Sequence, residues 1–403
     1  MEKYSSNVEY TKDYDKIFEN TGFGTKAIHS GQEPDFVNGS LAVPISLAST
    51  YKQHNPAEPY GPFDYSRCGN PTRSNLERLI GALENGKYSS VFSSGCAATT
   101  AISLLCKSGD HVISIDDVYG GTQRIFRKVL NPTSNIEYTF IKDMKDIKSE
   151  LKKETKMIWV ESPTNPTLKV TDINLLVKTV KEYNKDIIIV CDNTFLSPYN
   201  YKPLDHGADI VFESATKYLG GHSDLVMGIM STNNQELFEK IYFIHKTIGG
   251  CPSPFDCFLL IRGIKTLHLR VERINSNALK VASYLETHKK IKKINYSGLE
   301  SSPYFEIAKS NGYKGHGGMI GIYLDSDFEG VKKFFKSLKI FILAESLGAV
   351  ESLVEHPQTM THASVPKDIR EELGITETFI RISVGCEDIE DLIADLEYAL
   401  SQV

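Results

Sequence analysis

No stretch of this 403-residue chain reaches the ~18 consecutive apolar residues of a membrane-spanning helix, so none is expected. The start, Met1-Glu2-Lys3-Tyr4-Ser5-Ser6, lacks the apolar core of a secretion signal, and the expected location is the cytoplasm. The seven cysteines are odd in number and include no Cys-x-x-Cys pair, which argues against a disulfide framework and against a zinc cluster. His316 and His362 lack ligand-like spacing, and no metal site is expected. Internal repeats and low-complexity tracts are missing too. A net charge of −6 with well-mixed signs marks no nucleic-acid or membrane-binding surface, and the lysines of 142–156 alternate with acids as on solvated helix faces. What remains is a chain with 41% hydrophobic residues, enough for a large core, and a length that suggests two or three domains.

Asp192 closes the apolar run Ile187-Ile188-Ile189-Val190-Cys191, and Lys217 follows in Ser214-Ala215-Thr216-Lys217-Tyr218-Leu219-Gly220-Gly221-His222-Ser223-Asp224. A lysine amine can form a Schiff base with an aldehyde cofactor, and a buried carboxylate on a pyridine nitrogen keeps that ring protonated and able to accept electrons. The pairing reads as a site for pyridoxal 5'-phosphate (PLP). Ser214 and Thr216 offer hydroxyls suited to phosphate oxygens, and the glycine pair lets backbone pass close to a bulky ligand. Alone, such a lysine is an ordinary solvated charge. His222 reads as a satisfied neighbour of the motif rather than a base.

The surroundings strengthen the case. Ser89 to Gly95 reads as a short strand ending in Ser93-Ser94-Gly95-Cys96, before the small, helix-compatible run Ala97-Ala98-Thr99-Thr100-Ala101. The free N–H groups and positive dipole end of such a turn suit a phosphate, although an ordinary helix cap has the same pattern. Asp116-Asp117-Val118-Tyr119-Gly120-Gly121-Thr122 follows the strand-like His111 to Ile115 and puts Tyr119 where its ring could stack on a pyridine.

Tyr65-Ser66-Arg67-Cys68-Gly69-Asn70-Pro71-Thr72-Arg73 is similar to the Tyr-Ser-Arg-x-Gly-Asn-Pro-Thr signature of the Cys/Met-metabolism family of PLP enzymes. Glu161-Ser162-Pro163-Thr164-Asn165-Pro166-Thr167 resembles its Glu-x-Pro-x-Asn-Pro stretch, and Asp192-Asn193-Thr194-Phe195 and the Lys217 run complete an ordered set over nearly the whole chain. The resemblance implies the aspartate-aminotransferase-like, fold-type I architecture: an α/β domain with a mainly parallel sheet plus a smaller α+β C-terminal domain. It makes Lys217 the Schiff-base lysine, Asp192 the pyridinium partner and Tyr119 the stacking aromatic, with Gly95, the Cys96 backbone, Ser214 and Thr216 on the phosphate. Tyr65 and Arg67 would reach the phosphate of a neighbouring subunit, which implies a dimer, two of which pair into a homotetramer. A guanidinium fork suits that task. Arg381, in Phe379-Ile380-Arg381-Ile382-Ser383-Val384-Gly385, would hold the substrate α-carboxylate, with pairing to a structural acid as the alternative. Asn165 and Ser346 would add carboxylate contacts.

One scaffold hosts several PLP chemistries, so the reaction rests on local differences. Family members that cleave methionine carry a cysteine after the Tyr-Gly pair, where this chain has Gly121. Ala344-Glu345-Ser346-Leu347-Gly348-Ala349-Val350-Glu351-Ser352-Leu353 resembles the corresponding run of the cystathionine γ-lyase branch, while bacterial β-lyases typically have aromatics there. Asp64 and Glu345 are two acids that could hold the distal ammonium of cystathionine; two solvated acids are the plainer alternative. With the closing run Met360-Thr361-His362-Ala363-Ser364, the resemblance implies γ-elimination of L-cystathionine to cysteine, 2-oxobutyrate and ammonia, and hydrogen sulfide from cysteine as a side activity. Lys217 would act as base and acid in turn, and Tyr119 as proton donor to the leaving sulfur. Cystathionine γ-synthase is the alternative within the family. A non-catalytic PLP-fold binding protein is a third reading, opposed by the presence of both Lys217 and Asp192.

Short apolar runs at Ser89 to Phe92, His111 to Ile115, Ile136 to Ile141, Met157 to Val160, Ile187 to Val190, Ile210 to Glu213 and Val226 to Ser231 alternate with longer amphipathic stretches. That pattern predicts βα units with functional residues just past the strand ends. Residues 1–68 read as an arm toward a partner subunit, 69–262 as the large PLP-binding domain and 263–403 as a C-terminal α+β domain. The last of these holds strands near Lys292 to Tyr296, Met319 to Leu324 and Phe379 to Val384, after a helical stretch over Phe255 to His288.

Overall fold

The computed structural model describes residues 14–35, 37–363 and 365–403. Ser364 of the closing run and the first residues, read for a secretion signal, lie outside them. In chain order the main strands are β1 (Tyr88–Phe92), β2 (His111–Ile115), β3 (Glu137–Ile141), β4 (Thr155–Glu161), β5 (Ile188–Asp192), β6 (Ile210–Ser214) and β7 (Gly228–Thr232). They continue as β8 (Ile291–Asn295), β9 (Met319–Leu324), β10 (Ile342–Leu343), β11 (Leu353–Glu355) and β12 (Phe379–Ser383). Two compact units divide the chain, one made of Met1–Leu105 and Asp209–His268, the other of Cys106–Ala208 and Leu269–Val403.

In the first unit β7 pairs antiparallel with β1 on one side and with β6 on the other, with Met230 opposite both Ser90 and Phe212. Every residue of β7 is buried, as a strand covered on both faces requires. The helix Pro71–Glu84 begins where Asn70 caps the Arg73 N–H and a proline takes the first helical position. It buries Leu76, Leu79, Ile80 and Leu83, a 3–4 residue spacing that forms one apolar stripe, and stops at Asn85 in the left-handed conformation (φ 55°).

In the second unit β5, β4, β2 and β3 lie side by side in that order, all parallel. Parallel neighbours need crossover connections, and the helix Ile173–Tyr183 provides one between β4 and β5. Its Ile173, Leu176 and Val180 pack into a core with Ile113, Ile158, Val160 and Ile189. A separate five-stranded sheet has the order β8-β9-β12-β11-β10. Ile320, Ile322, Ile380 and Ile382 from its strands share a core with Leu392, Leu396 and Leu400 of the last helix, Ile389–Ser401.

The expected strands are all present, with ends that shift by at most two residues. Three features differ from the sequence reading. The helical stretch from Phe255 is two helices, Pro254–Ile264 and Leu267–Glu286. The N-terminal stretch, poor in periodic runs, nevertheless forms the helix Phe23–His29, of which Ala27 alone is buried. Strands β10 and β11 flank the run Ala344 to Leu353, for which the sequence reading offers no strand.

Candidate active site

The first unit builds an anion cradle from a strand end and a helix start. The helix Gly95–Ser103 follows β1, and Ser94 caps it by accepting the Ala97 N–H at 3.0 Å while the Ser94 carbonyl takes the Ala98 N–H at 3.2 Å. Gly95 sits against the end of β6: a Cβ there would lie 3.3 Å from Ser214 Cβ and 3.4 Å from Ser214 Oγ. Gly228, opposite Ser214, is pressed harder, since its Cβ would meet the Ser94 carbonyl oxygen at 2.5 Å. These two glycines let β6, β7 and the helix start converge closely enough to bring the Ser214 hydroxyl beside the first turn. Lys217 stands one turn past β6, its N–H bonded to the Ser214 carbonyl at 3.1 Å, and its side chain is half-buried. A lysine amine, a seryl hydroxyl and a helix N-terminus form a donor set that fits the aldehyde and phosphate of PLP. The Thr216 hydroxyl accepts the Met227 N–H (3.1 Å) and donates to the Met227 carbonyl (3.3 Å). His222 is satisfied through Nδ1 and the Gly220 carbonyl at 2.8 Å.

Tyr65 and Arg67 also belong to this unit and lie at its surface. Arg67 donates to the Lys246 carbonyl at 2.7 Å, and its guanidinium carbon is 5.6 Å from the Tyr65 ring centre. The buried Arg73 braces the turn from behind through the carbonyls of Ser66 and Arg67, at 2.8 and 3.3 Å. Asp64 turns a carboxylate oxygen onto the Tyr65 N–H at 2.7 Å.

In the second unit Glu161 and Asp192 end adjacent parallel strands and are register partners. Asp192, 5% exposed, accepts the Thr194 N–H at 3.0 Å and the Thr194 hydroxyl at 2.6 Å, both on Oδ1. Burial pushes its carboxyl above the usual range, and the two Thr194 bonds oppose that shift. Glu161, 4% exposed, accepts the Tyr119 N–H at 3.0 Å. Its carboxyl is pushed up further, by burial and then by the Asp192 charge. Of the two, Asp192 ionises first, and a buried carboxylate in that state fits a pyridinium N–H. Tyr119 precedes the helix Gly120–Arg124 and leaves 44% of its surface exposed. A Cβ on Gly121 would sit 2.4 Å from Tyr119 Cε1, so the glycine noted in the sequence sets where that ring can lie.

Arg381, 3% exposed on β12, donates to Asn165 Oδ1 at 2.8 Å and to the Ser346 carbonyl at 3.0 Å. Ser346 turns that carbonyl inward from φ 96°, a conformation unusual for a residue with a side chain. Asn165, Ser346 and Arg381 are thus brought together. The structural acid considered as an alternative partner is present as well: Glu355 Oε2 lies 3.1 Å from Arg381 Nη2. Glu345 is exposed. Two residues were given no part by sequence reasoning, Glu161 and Glu355. The first stood in a recognised motif, and the second carried no signal beyond being a lone acid after Leu353 and Val354.

Residues 24–401 match the Cys/Met metabolism PLP-dependent enzyme family. A cystathionine gamma-lyase of Dictyostelium discoideum is 48% identical over 95% of this chain and 98% of its own. The cystathionine gamma-lyase of Mus musculus is also 48% identical, over 94% of this chain and 95% of its own. The crystal structure of cystathionine gamma-lyase from yeast superposes with a TM-score of 0.91 at 47% identity, covering 95% of this chain and 98% of that one. The fold is accordingly the mixed α/β, fold-type I architecture with a large, mainly parallel sheet. The chain belongs to the Cys/Met metabolism family of PLP-dependent enzymes.

Proposed function

We infer that this protein is a PLP-dependent carbon–sulfur lyase that performs γ-elimination of L-cystathionine, giving cysteine, 2-oxobutyrate and ammonia. The observation that carries this reading is the near-full-length similarity, at 48% identity, to enzymes named cystathionine gamma-lyase from organisms as different as Dictyostelium discoideum and Mus musculus. PLP, when bound, supplies an electron sink for carbanion chemistry on the amino acid. The chain's residues supply binding, orientation and proton transfer. Arg381 holds the α-carboxylate, assisted by Asn165 and Ser346. The Lys217 amine takes the Cα proton and returns a proton later, while Tyr119 protonates the departing sulfur. Asp192 keeps a negative charge for the ring nitrogen, and Gly95, Cys96, Ser214 and Thr216 line the phosphate position. Asp64 and Glu345 receive the distal ammonium.

The exposed pair Tyr65 and Arg67 supports a further reading, that it completes the phosphate position of a neighbouring subunit in a dimer, with two dimers forming a tetramer; sedimentation of the PLP-loaded enzyme tests this. On that reading residues 1–68 serve as the arm, 69–262 as the large domain and 263–403 as the C-terminal domain. No disulfide joins any of the seven cysteines, which suits a reducing compartment such as the cytoplasm, a location that cell fractionation would check. Among the described residues no helix is long and apolar enough to cross a membrane.

The test of the reaction is product analysis with L-cystathionine as sole substrate. The expected products are 2-oxobutyrate and cysteine. Pyruvate and homocysteine would instead mean β-elimination, and no turnover, with activity on an O-acyl-homoserine plus cysteine, would mean a γ-synthase.

A further inference from the structure

Glu355 and Arg381 are direct cross-strand partners on β11 and β12. Their side chains meet at 3.1 Å with only 1% and 3% exposure, so the guanidinium already has a buried carboxylate beside it without substrate. The other carboxylate oxygen, Oε1, accepts the Thr361 hydroxyl at 2.8 Å. A hydroxyl has one proton. With that proton directed to Glu355, Thr361 Oγ1 acts as acceptor toward His362 Nδ1 at 2.8 Å, which fixes the Nδ1–H tautomer of a neutral imidazole. His362 is 2% exposed, and burial, reinforced by the Arg381 charge, pushes its pKa down to about 3. The ring therefore stays uncharged across the neutral range. The chain of contacts runs from His362 through Thr361 and Glu355 to Arg381, and ends at Asn165 on the opposite nitrogen, 2.8 Å from Nη1.

We propose that Glu355 is the standing counter-ion of Arg381, a positioning residue that fixes the plane of the guanidinium for the substrate α-carboxylate, and that Thr361 and His362 hold Glu355 in place. The proposal rests on the reading of Arg381 as the carboxylate-binding residue. Its physical basis is that a bidentate contact needs a fixed plane as well as a charge, and a buried guanidinium without a partner would turn toward whatever acceptor it could reach. At metal sites, partners that orient a ligating side chain are typically worth one to two orders of magnitude in affinity, which sets the scale for a partner that orients a guanidinium. The two opposite charges also offset one another, so direction rather than excess positive charge at this pair selects the carboxylate.

The experiment is steady-state kinetics of the PLP-loaded enzyme on L-cystathionine for Glu355→Ala, Glu355→Gln, Arg381→Ala and the Glu355→Ala/Arg381→Ala double variant. Glu355→Ala is expected to raise KM about ten-fold, with a much smaller change in kcat. Glu355→Gln keeps the shape and one acceptor oxygen and should recover most of the loss. In the Arg381→Ala background, Glu355→Ala should add less than about two-fold, because residues acting as a unit are not additive. A KM unmoved by Glu355→Ala, or the same fold-loss with and without Arg381, would overturn the proposal. An Arg381→Ala enzyme with unchanged KM would remove the underlying reading of Arg381, and this is distinguishable from a large Arg381 effect with none at Glu355. Should Glu355→Ala fail to fold, Thr361→Val supplies the same comparison: a rise in KM that vanishes in the Arg381→Ala background supports the chain of contacts, and an unchanged KM rejects it.

Discussion

Glycine at 95 is required by its neighbours rather than by its own backbone angle. An alanine there would place a methyl 3.3 Å from Ser214 Cβ and 3.4 Å from its hydroxyl, tighter than ordinary packing, so Ser214 would have to shift by a few tenths of an ångström away from the first turn of the helix. Alanine favours a helix, so the fold itself has little to lose. Gly95→Ala is therefore expected to raise the dissociation constant for PLP about ten-fold while leaving the melting temperature of the cofactor-free protein nearly unchanged; an absorbance titration measures the first and calorimetry the second. Unchanged cofactor affinity would mean that the Gly95 turn does not face the phosphate. Residues of this kind were legible in the sequence because the chemistry restricts their type: few groups other than lysine form the Schiff base, and few turns admit a helix start so close to a strand end. Glu161 and Glu355 were not legible in role. Their parts depend on which strand lies alongside, Asp192 for the one and Arg381 for the other, and pairing between distant segments leaves no mark in local sequence.

Strands were readable where burial on both faces imposes a continuous apolar run, as in β5, whose C-terminal end moved because the polar Asp192 still belongs to the ladder. Strands β10 and β11 escaped notice for the opposite reason. They contain two and three residues, Ile342 and Leu343 remain 52% and 50% exposed, and β11 ends in an acid. No periodicity accumulates over such lengths. The backbone of the segment leading into β10 is held by a side chain on the last helix, while its Phe341 packs into the core. Asp395, 6% exposed, accepts the N–H groups of Lys339, Ile340 and Phe341 at 2.8, 2.9 and 3.0 Å. Asp395→Ala would leave three backbone donors without their acceptor in a mostly buried place, and a loss of about 3 kcal/mol in unfolding free energy is expected. Asp395→Asn, which retains one carbonyl oxygen, should lose less. Urea denaturation of the two variants measures both, and a loss below about 1 kcal/mol for alanine would show that water replaces the carboxylate.

Across the whole molecule, burial shifts two sets of titrating groups in opposite directions. The imidazoles of His111, His245, His316, His356 and His362 are pushed down, to about 4 for His245 and about 3 for His362. The carboxyls of Glu77, Asp117, Glu161 and Asp192 are pushed up. For the histidines the unfolded chain binds more protons in acid, so their contribution is present above about pH 6.5 and is lost as pH falls. For the carboxyls the folded chain binds more, so their contribution is complete below the ordinary carboxylate range and is lost as pH rises through the raised value. The two sets oppose each other in mild acid, and above neutrality only the carboxyl penalty is left. Glu77 isolates that penalty. Burial raises its carboxyl from 4.5 to about 7, against the opposing pull of Arg73, 3.9 Å away, and of the Val91 N–H. Its side chain keeps 19% exposure, so the full shift sets an upper bound on the energy. Glu77→Gln removes the charge and keeps an acceptor for Val91. Relative to the unsubstituted protein, this variant is expected to gain stability as pH rises from about 4.5 to 7, by up to about 3 kcal/mol, and to keep a constant advantage above that. Urea midpoints at a series of pH values from acid to mildly alkaline give the difference directly. If that difference does not change with pH, Glu77 titrates alike in the folded and unfolded chain, and its attraction to Arg73 and the Val91 N–H balances the cost of burying its charge.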